Sequence, residues 1–247
     1  MNILKTALAI CFLAWSAIPA RAGDTITIVA DEWPPFSGEN LHNGGISLDV
    51  IATTLRRAGY TVETAILPWA RIMDGARKGE HDVVGSLFFD PDIAQYMTYG
   101  ESFYQTEVKF VQKKGAGLSV QGLDSLRPYS IAVGDGFLYE EQFDRADYLD
   151  KVVVRTALQG ILMVAHGRAD LTLDSQEVIR YSVHNHAPEI ADDIEFLPGA
   201  LATHDIHMAV SNTLPNREDV VADFNRVLAE MRADGSLAEL LAKHQVR

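Results

Sequence analysis

The sequence predicts an α/β protein of two similar lobes joined by two hinge crossovers, and three observations carry that reading. First, strand-like and helix-like segments alternate as β-α-β-α-β between residues 25 and 92, an order that argues a parallel sheet with right-handed crossovers. Second, the order begins again near residue 130. The segment Gly79-Glu80-His81-Asp82-Val83-Val84 is echoed by Gly167-Arg168-Ala169-Asp170-Leu171-Thr172, each a helix stop followed by an Asp-led apolar strand. Third, extended runs at 103–112 and 205–210 flank the second copy, and an amphipathic tail follows. If the tail packs back on the first lobe, the chain crosses between lobes near 103–107 and 201–206. The lobes are then 23–105 with 206–247, and 106–205. The cleft between them is the natural place for a ligand.

The first 22 residues stand apart from this pattern. Lys5 supplies a basic start, 7–18 an apolar stretch, and Ala20-Arg21-Ala22 a small-residue cleavage site before Gly23, which reads as a secretory leader removed at 1–22. The apolar stretch is shorter than the ~20 residues a membrane span needs. Cys11, the single cysteine, lies inside it, and Ile10 before it fits a lipid-acylation site poorly. The mature chain is thus expected to be exported to the periplasm, monomeric, free of disulfides and not inserted in a membrane. Its composition, 47% hydrophobic and 22% charged, is that of a globular domain. A formal net charge of −13 argues against nucleic acid and anionic membrane surfaces as partners.

Each element follows from local pattern. The β-branched alternation at 25–29 reads as a strand, ended by Trp33-Pro34-Pro35-Phe36, where two prolines forbid both a helix and a central strand. Leu48, Ile51, Ala52, Leu55 and Ala58 form one helical face, stopped by Gly59. A strand is expected at 61–67. The next helix has Pro68 at its start, Ile72, Met73 and Ala76 at helical spacing, Arg77 and Lys78 at the negative end of its dipole, and Gly79 as its stop. The apolar run from Asp82 is short enough to be a strand buried on both faces. In the second lobe, strands are expected at 130–133, 152–154, 170–173 and 194–197. Helices are expected at 138–145, 158–166 and 176–182. In the tail, Val220, Val221, Phe224, Val227, Leu228 and Met231 share a face, Gly235 breaks the helix, and Leu237, Leu240 and Leu241 begin another.

In open α/β sheets, ligands bind beyond the carboxyl ends of the strands. That singles out 86–92, with Trp69 and Arg71 entering the same neighbourhood from a helix start. Trp33 and Trp69 are the only tryptophans after the leader, and both fall in expected cleft loops, where an indole can stack on a ligand or on a cation; core packing is the alternative. Phe88 and Phe89 alternate, so that one faces the core and the other the cleft. Arg71 either forks a ligand carboxylate or pairs on the surface with Asp74 or Glu101. His184, His186, His204 and His207 are metal-ligand types, but neither spacing sets the imidazoles on one face, and they are read as solvated. No metal or cofactor is expected. The chain contains no G-x-S-x-G, H-E-x-x-H or phosphate-cradling glycine loop, so binding rather than catalysis is the expectation.

Taken in order, Trp33-Pro34-Pro35-Phe36, Gly45-Ile46-x-x-Asp49, Pro68-Trp69-x-Arg71, Gly79-x-x-Asp82, Phe103-Tyr104, Gly167-x-x-Asp170, Asp174 and Met231-x-x-Asp234-Gly235-Ser236-Leu237 resemble the family 3 bacterial extracellular solute-binding proteins, the periplasmic polar amino-acid-binding type. The resemblance spans essentially the whole chain after the leader. It implies a type II periplasmic-binding-protein (Venus flytrap) fold that closes on a small ligand and delivers it to the membrane permease of an ABC transporter. It also implies that Asp174 pairs a ligand amino group. Two departures stand out. Where the family carries an arginine that clamps the ligand carboxylate, this chain has Ile93, in the turn Asp90-Pro91-Asp92-Ile93. Where the facing turn offers small hydroxyl residues, it has Gly134-Asp135-Gly136-Phe137, and Asp135 would repel a carboxylate. The expected ligand is therefore a small polar, amine-bearing compound, held by Trp33, Trp69, Arg71, Phe88, Asp92, Asp135 and Asp174. Two alternatives share the fold. One is a sensing module for a membrane signalling partner. The other is a periplasmic enzyme resembling cyclohexadienyl dehydratases, with Glu32, Asp92 or Asp174 as its acid.

Overall fold

The computed structural model describes residues 25–244; the leader expected over 1–22, with Cys11, lies outside them. The chain begins β1 (Thr25–Ala30), α1 (Ile46–Arg57), β2 (Thr61–Ile66), α2 (Trp69–Lys78) and β3 (Val83–Leu87). The three strands pair in parallel in the order β2-β1-β3. Consecutive residues of β3 bury in opposite directions: Val83 joins the cluster under α1 and Val84 the cluster under α2. That is why its sequence is an unbroken apolar run instead of an alternation. Gly79 caps α2 at φ 72°, a left-handed conformation that a Cβ disfavours.

A short strand that sequence pattern did not mark, β4 (Met97–Tyr99), comes next, and then the long β5 (Tyr104–Lys113). The second half consists of β6 (Ser130–Gly134), α3 (Glu141–Arg145), β7 (Asp150–Val154), α4 (Ala157–Ala165), β8 (Leu171–Ser175), α5 (Gln176–His186) and β9 (Ile194–Phe196). Here β6 is parallel to both β7 and β8. α4 lies close on the sheet: a Cβ added to Gly160 would sit 2.5 Å from Thr172 Oγ1. The helix expected over 138–145 is shorter than its pattern suggested. Tyr139 turns inward and its hydroxyl accepts the Gly134 N–H at 2.8 Å, so α3 starts only after Glu140, whose carboxylate accepts the Phe143 N–H at 2.9 Å.

Finally β10 (Ala202–Ser211) runs the length of both halves, and α6 (Arg217–Ala233) and α7 (Ser236–Ala242) close the chain. Residues 202–206 of β10 pair antiparallel with 104–108 of β5, while its far end pairs with β3 and β4. β5 in turn continues into pairing with β8 and β9. Two adjacent strands thus join the halves into a two-lobed α/β structure with two crossovers. The tail packs on the first half: Val220, Phe224, Val227, Leu228 and Met231 share a core cluster with Ile26, Ile28, Leu48, Ile51 and Leu55. The second half has its own cores, around Phe110, Ile131, Phe143 and Leu171 on one face and Val111, Ile161, Ile179 and Val183 on the other. Among the described residues no helix is long and apolar enough to cross a membrane.

Phe224 is fully buried against the first-half core, so Phe224→Ala should cost about 3–5 kcal/mol. In a chain of this size that lowers Tm by roughly 10 °C. Arg226→Ala, which removes exposed pairs to Asp223 and Glu230, should cost less than about 1 kcal/mol. Denaturant unfolding of the two variants checks this. Equal losses would mean that the tail contributes no core.

Candidate functional site

The carboxyl ends of β1 and β3 from one half and of β6 and β8 from the other bring the candidate side chains to the cleft, as parallel strand ends do. Asp31 follows β1 directly, and Ser86 lies near the end of β3. The β1–β3 register pairs Val29 with Val84; extended by two residues, it sets Asp31 level with Ser86. From the other half come Gly134 and Asp135, at the end of β6, and Asp174, the penultimate residue of β8. The crossing strands supply Tyr104, Thr106 and His204.

A continuous set of rings runs from one wall to the other. Trp33 lies 4.5 Å from Phe36 and meets Phe88 edge-on at 5.4 Å. Phe88 stacks on His204 at 4.4 Å. His204 Nε2 is 2.6 Å from the Tyr139 carbonyl oxygen, a contact that places the N–H on that nitrogen. A second link runs through Tyr104. Its ring is 5.6 Å from Phe36, and its hydroxyl donates to Glu177 at 3.1 Å. Glu177 also accepts from Thr106 at 2.5 Å, and its neighbour Val178 is part of the first-half core. The two walls are therefore in contact beside the crossing strands.

The charges within this frame are mostly negative. Asp174 is 6% exposed, and its carboxylate accepts the Ser175 N–H at 2.7 Å. Lys109, its register partner across β5, turns instead to Glu107 at 3.3 Å. Burial pushes the Asp174 carboxyl up to about 7, against the pull of the Ser175 N–H. Burial likewise raises Asp31 to about 6, with the charge of Glu32 adding to it. Near the end of β3, Ser86 sits at φ 60°, a strained conformation for a residue with a Cβ. Among the described residues its buried hydroxyl has no hydrogen-bond partner, nor do Ser37 Oγ and Trp33 Nε1. Burial and then the Asp174 charge raise the pKa of the Tyr139 hydroxyl, which puts that ring close to Asp174.

The residues singled out by sequence fall into three groups. Phe88 and Asp174 lie within the frame just described. Trp33 does too, though as a core residue at 9% exposure and not at a loop tip. Trp69 and Arg71 are exposed at the start of α2. The surface partners considered for Arg71 are engaged elsewhere: Asp74 with Lys78 at 2.6 Å and Glu101 with Arg232 at 3.3 Å. Asp92 and Asp135 are exposed; Asp92 accepts from Gln95 at 3.2 Å and the Asp135 N–H donates to the Val154 carbonyl at 2.9 Å. Ile93, in the place of the family's arginine, is buried in the core under α2.

The histidines need a correction. His184 and His186 are exposed, but His204 and His207 are not solvated: both are half-buried, and His207 Nδ1 lies 3.0 Å from the Gly100 carbonyl oxygen. Among the described residues no group of three or more His, Cys, Asp or Glu side chains is set to hold a metal. Sequence reasoning included Ser86 in the strand-end stretch 86–92 without giving it a role, weighed His204 only as a metal-ligand type, and missed Asp31. Asp31 could have been found from its place at the end of a parallel strand. His204 carries no comparable local signal for a place beside Phe88.

Because the Asp174 carboxyl holds its proton more tightly folded than unfolded, where its pKa is near ~3.9, the folded state is favoured at low pH. The cost of burying the charge develops as pH rises from about 4 to about 7. Asp174→Asn keeps an acceptor for Ser175 and never ionises. Its Tm advantage over the parent should be absent near pH 4, grow to the equivalent of a few kcal/mol by about pH 8, and stay level above. Thermal melts across that range check this, and a pH-independent difference would count against a buried, unpaired Asp174.

Solved structures similar to this chain agree on the architecture. A histidine kinase sensor domain with similarity to periplasmic binding proteins aligns with TM-score 0.75 at 18% identity, over 90% of this chain and 96% of that one. The substrate-binding protein of an amino acid ABC transporter gives 0.70 at 16%, over 91% and 100%. An arginine 3rd transport system periplasmic binding protein from Legionella pneumophila gives 0.69 at 17%, over 90% and 99%. At such identities the likeness shows the fold alone, the periplasmic-binding-protein fold. No curated protein matches the sequence. The family model for bacterial extracellular solute-binding proteins, family 3, matches residues 26–246, and the chain belongs to that family.

Proposed function

We propose that this is a periplasmic solute-binding protein whose lobes, 23–105 with 206–247 and 106–205, close on a small polar, amine-bearing ligand and deliver it to an ABC-type permease. The observation that carries the reading is Asp174: a buried carboxylate at a strand end in the cleft, with no cation beside it among the described residues. A ligand ammonium supplies the missing charge, and a buried charge is tolerated when paired and hydrogen-bonded. The ligand class follows from what surrounds it. Ile93 is packed away in the core, so the usual carboxylate fork is absent, and Asp31 and Asp135 add negative charge on the two sides. Trp33 and Phe88 form the aromatic wall of the site, and Trp69, Arg71 and Asp92 sit at its rim. Family membership and the transporter-type neighbours favour binding over catalysis.

Sensing is the second reading, favoured by the sensor-domain neighbour; in it, the same closure signals to a membrane kinase. Ligand-dependent association with a permease or with a receptor's periplasmic domain separates the two.

A thermal-shift screen of amines, betaines, amino acids and organic acids tests the ligand class, because a ligand bound only by the folded state raises Tm. Amines should raise it and glutamate should not; tight glutamate binding in calorimetry would sink the reading. For an amine that binds, Asp174→Asn should weaken affinity roughly 30-fold or more, the loss of one side of a desolvated charged hydrogen bond. Trp69→Leu, which removes a ring contact worth about 0.5–2 kcal/mol, should cost less. An Asp174→Asn variant that binds as well as the parent would remove the amine-pairing role.

A further inference from the structure

The cleft holds not one but two carboxylates that lack a counter-ion among the described residues, one on each wall. Asp174 belongs to the β8 wall. Asp31 follows β1 in the other lobe, and among the described residues no Lys or Arg pairs with it; its own backbone N–H offsets its burial in part and the charge of Glu32 adds to it. Near the end of the adjoining strand β3 is Ser86, whose hydroxyl is buried without a partner among the described residues and can accept a hydrogen bond from an ammonium. The ring path already traced links the neighbourhoods of the two carboxylates: Trp33, two residues after Asp31 in sequence, then Phe88 at 5.4 Å, His204 at 4.4 Å, and the Tyr139 backbone at 2.6 Å, with the Tyr139 hydroxyl feeling the charge of Asp174. Acid, apolar wall, acid is the complement of cation, methylene chain, cation. A monoamine would neutralise one end and leave the other carboxylate closed in with no partner, which is unfavourable. An α-amino acid would bring a carboxylate to a site whose usual arginine position is the buried Ile93.

We propose that the ligand is an alkyl diamine, its two ammonium groups held by Asp31 from one lobe and Asp174 from the other, its methylenes against Trp33 and Phe88. The proposal rests on the amine-binding reading and makes it specific. The two-ended grip also explains why closure would follow binding: each lobe holds one end of the same molecule, and the second carboxylate is neutralised only when the lobes close on the second ammonium. The acidic chain as a whole, at formal net charge −13, attracts a dication more than a monocation.

The experiment is a calorimetric series on the mature protein at pH 8. It uses diamines from 1,3-diaminopropane to 1,6-diaminohexane, the monoamines butylamine and pentylamine, and the diamino acids ornithine and lysine. The last two match putrescine and cadaverine apart from one carboxylate. One diamine length should bind best and exceed the monoamine of matched length roughly 30-fold or more, the effect of leaving one buried charge unpaired. The matching diamino acid should bind more weakly than the diamine. Asp31→Asn and Asp174→Asn should each reduce diamine affinity toward the monoamine level, with circular dichroism confirming that each variant folds. Monoamines binding as tightly as diamines, or lysine binding more tightly than cadaverine, would overturn the diamine assignment while leaving amine binding intact. If no amine of any kind binds, both readings fall. The unmodified protein alone decides these outcomes, whether or not a variant folds.

Discussion

Everything about the cleft depends on one piece of backbone pairing, the antiparallel ladder between residues 104–108 of β5 and 202–206 of β10. Each strand belongs to one half at one end and to the other half at its other end. Because backbone N–H and C=O groups must be paired when buried, two adjacent strands satisfy each other where a single linker would leave open edges. The ladder therefore lets the chain leave the first half, build the second and return, so that α6 can pack on α1. It also sets Tyr104, Thr106 and His204 beside the cleft. A lone connection would have left the lobes free to turn about it, whereas a paired one confines them to bending about a common line.

The second constraint is electrostatic. A protein can bury a carboxylate by pairing it, by hydrogen-bonding it or by protonating it. Elsewhere in this molecule the first two are used: Asp49 accepts from Asn43 and Thr53 and meets His244 at 2.8 Å, and Glu177 accepts from Tyr104 and Thr106. Among the described residues Asp174 has only the Ser175 N–H, and burial raises its pKa to about 7. The contrast is informative, because the fold plainly has the means to satisfy acids. Among the described residues Asp174 keeps a single N–H contact, and Ser86 Oγ and Trp33 Nε1, like Ser37, Ser47 and His81, have no partner; under-satisfied groups at strand ends are where a ligand can complete the structure.

Sequence by itself determined the order of elements, because that order is written in local signals. Period-2 and period-3.6 apolar patterns, Gly79 and Gly235 at helix ends, and the apolar run of β3 all act within a few residues of where they stand. Sequence also pointed to the strand-end loops, and so to Phe88 and Asp174. It overestimated α3, since the burial of Tyr139 against Gly134 is a contact that no helical periodicity announces. It missed β4, whose three residues exist as a strand only because β10 lies beside them.

Tertiary structure decided which side chains meet. His204 is 116 residues from Phe88 in sequence and 4.4 Å from it ring to ring; its half-burial follows from the β5–β10 ladder and from nothing in its own neighbourhood. The isolation of Asp174 was equally hidden, for Lys109 stands opposite it in register and only the side-chain geometry sends that lysine to Glu107. The sequence names residues that are capable of a chemistry. Which of them are buried, and which are left unpaired, depends on distances between segments far apart along the chain, and those exist only once the chain has folded.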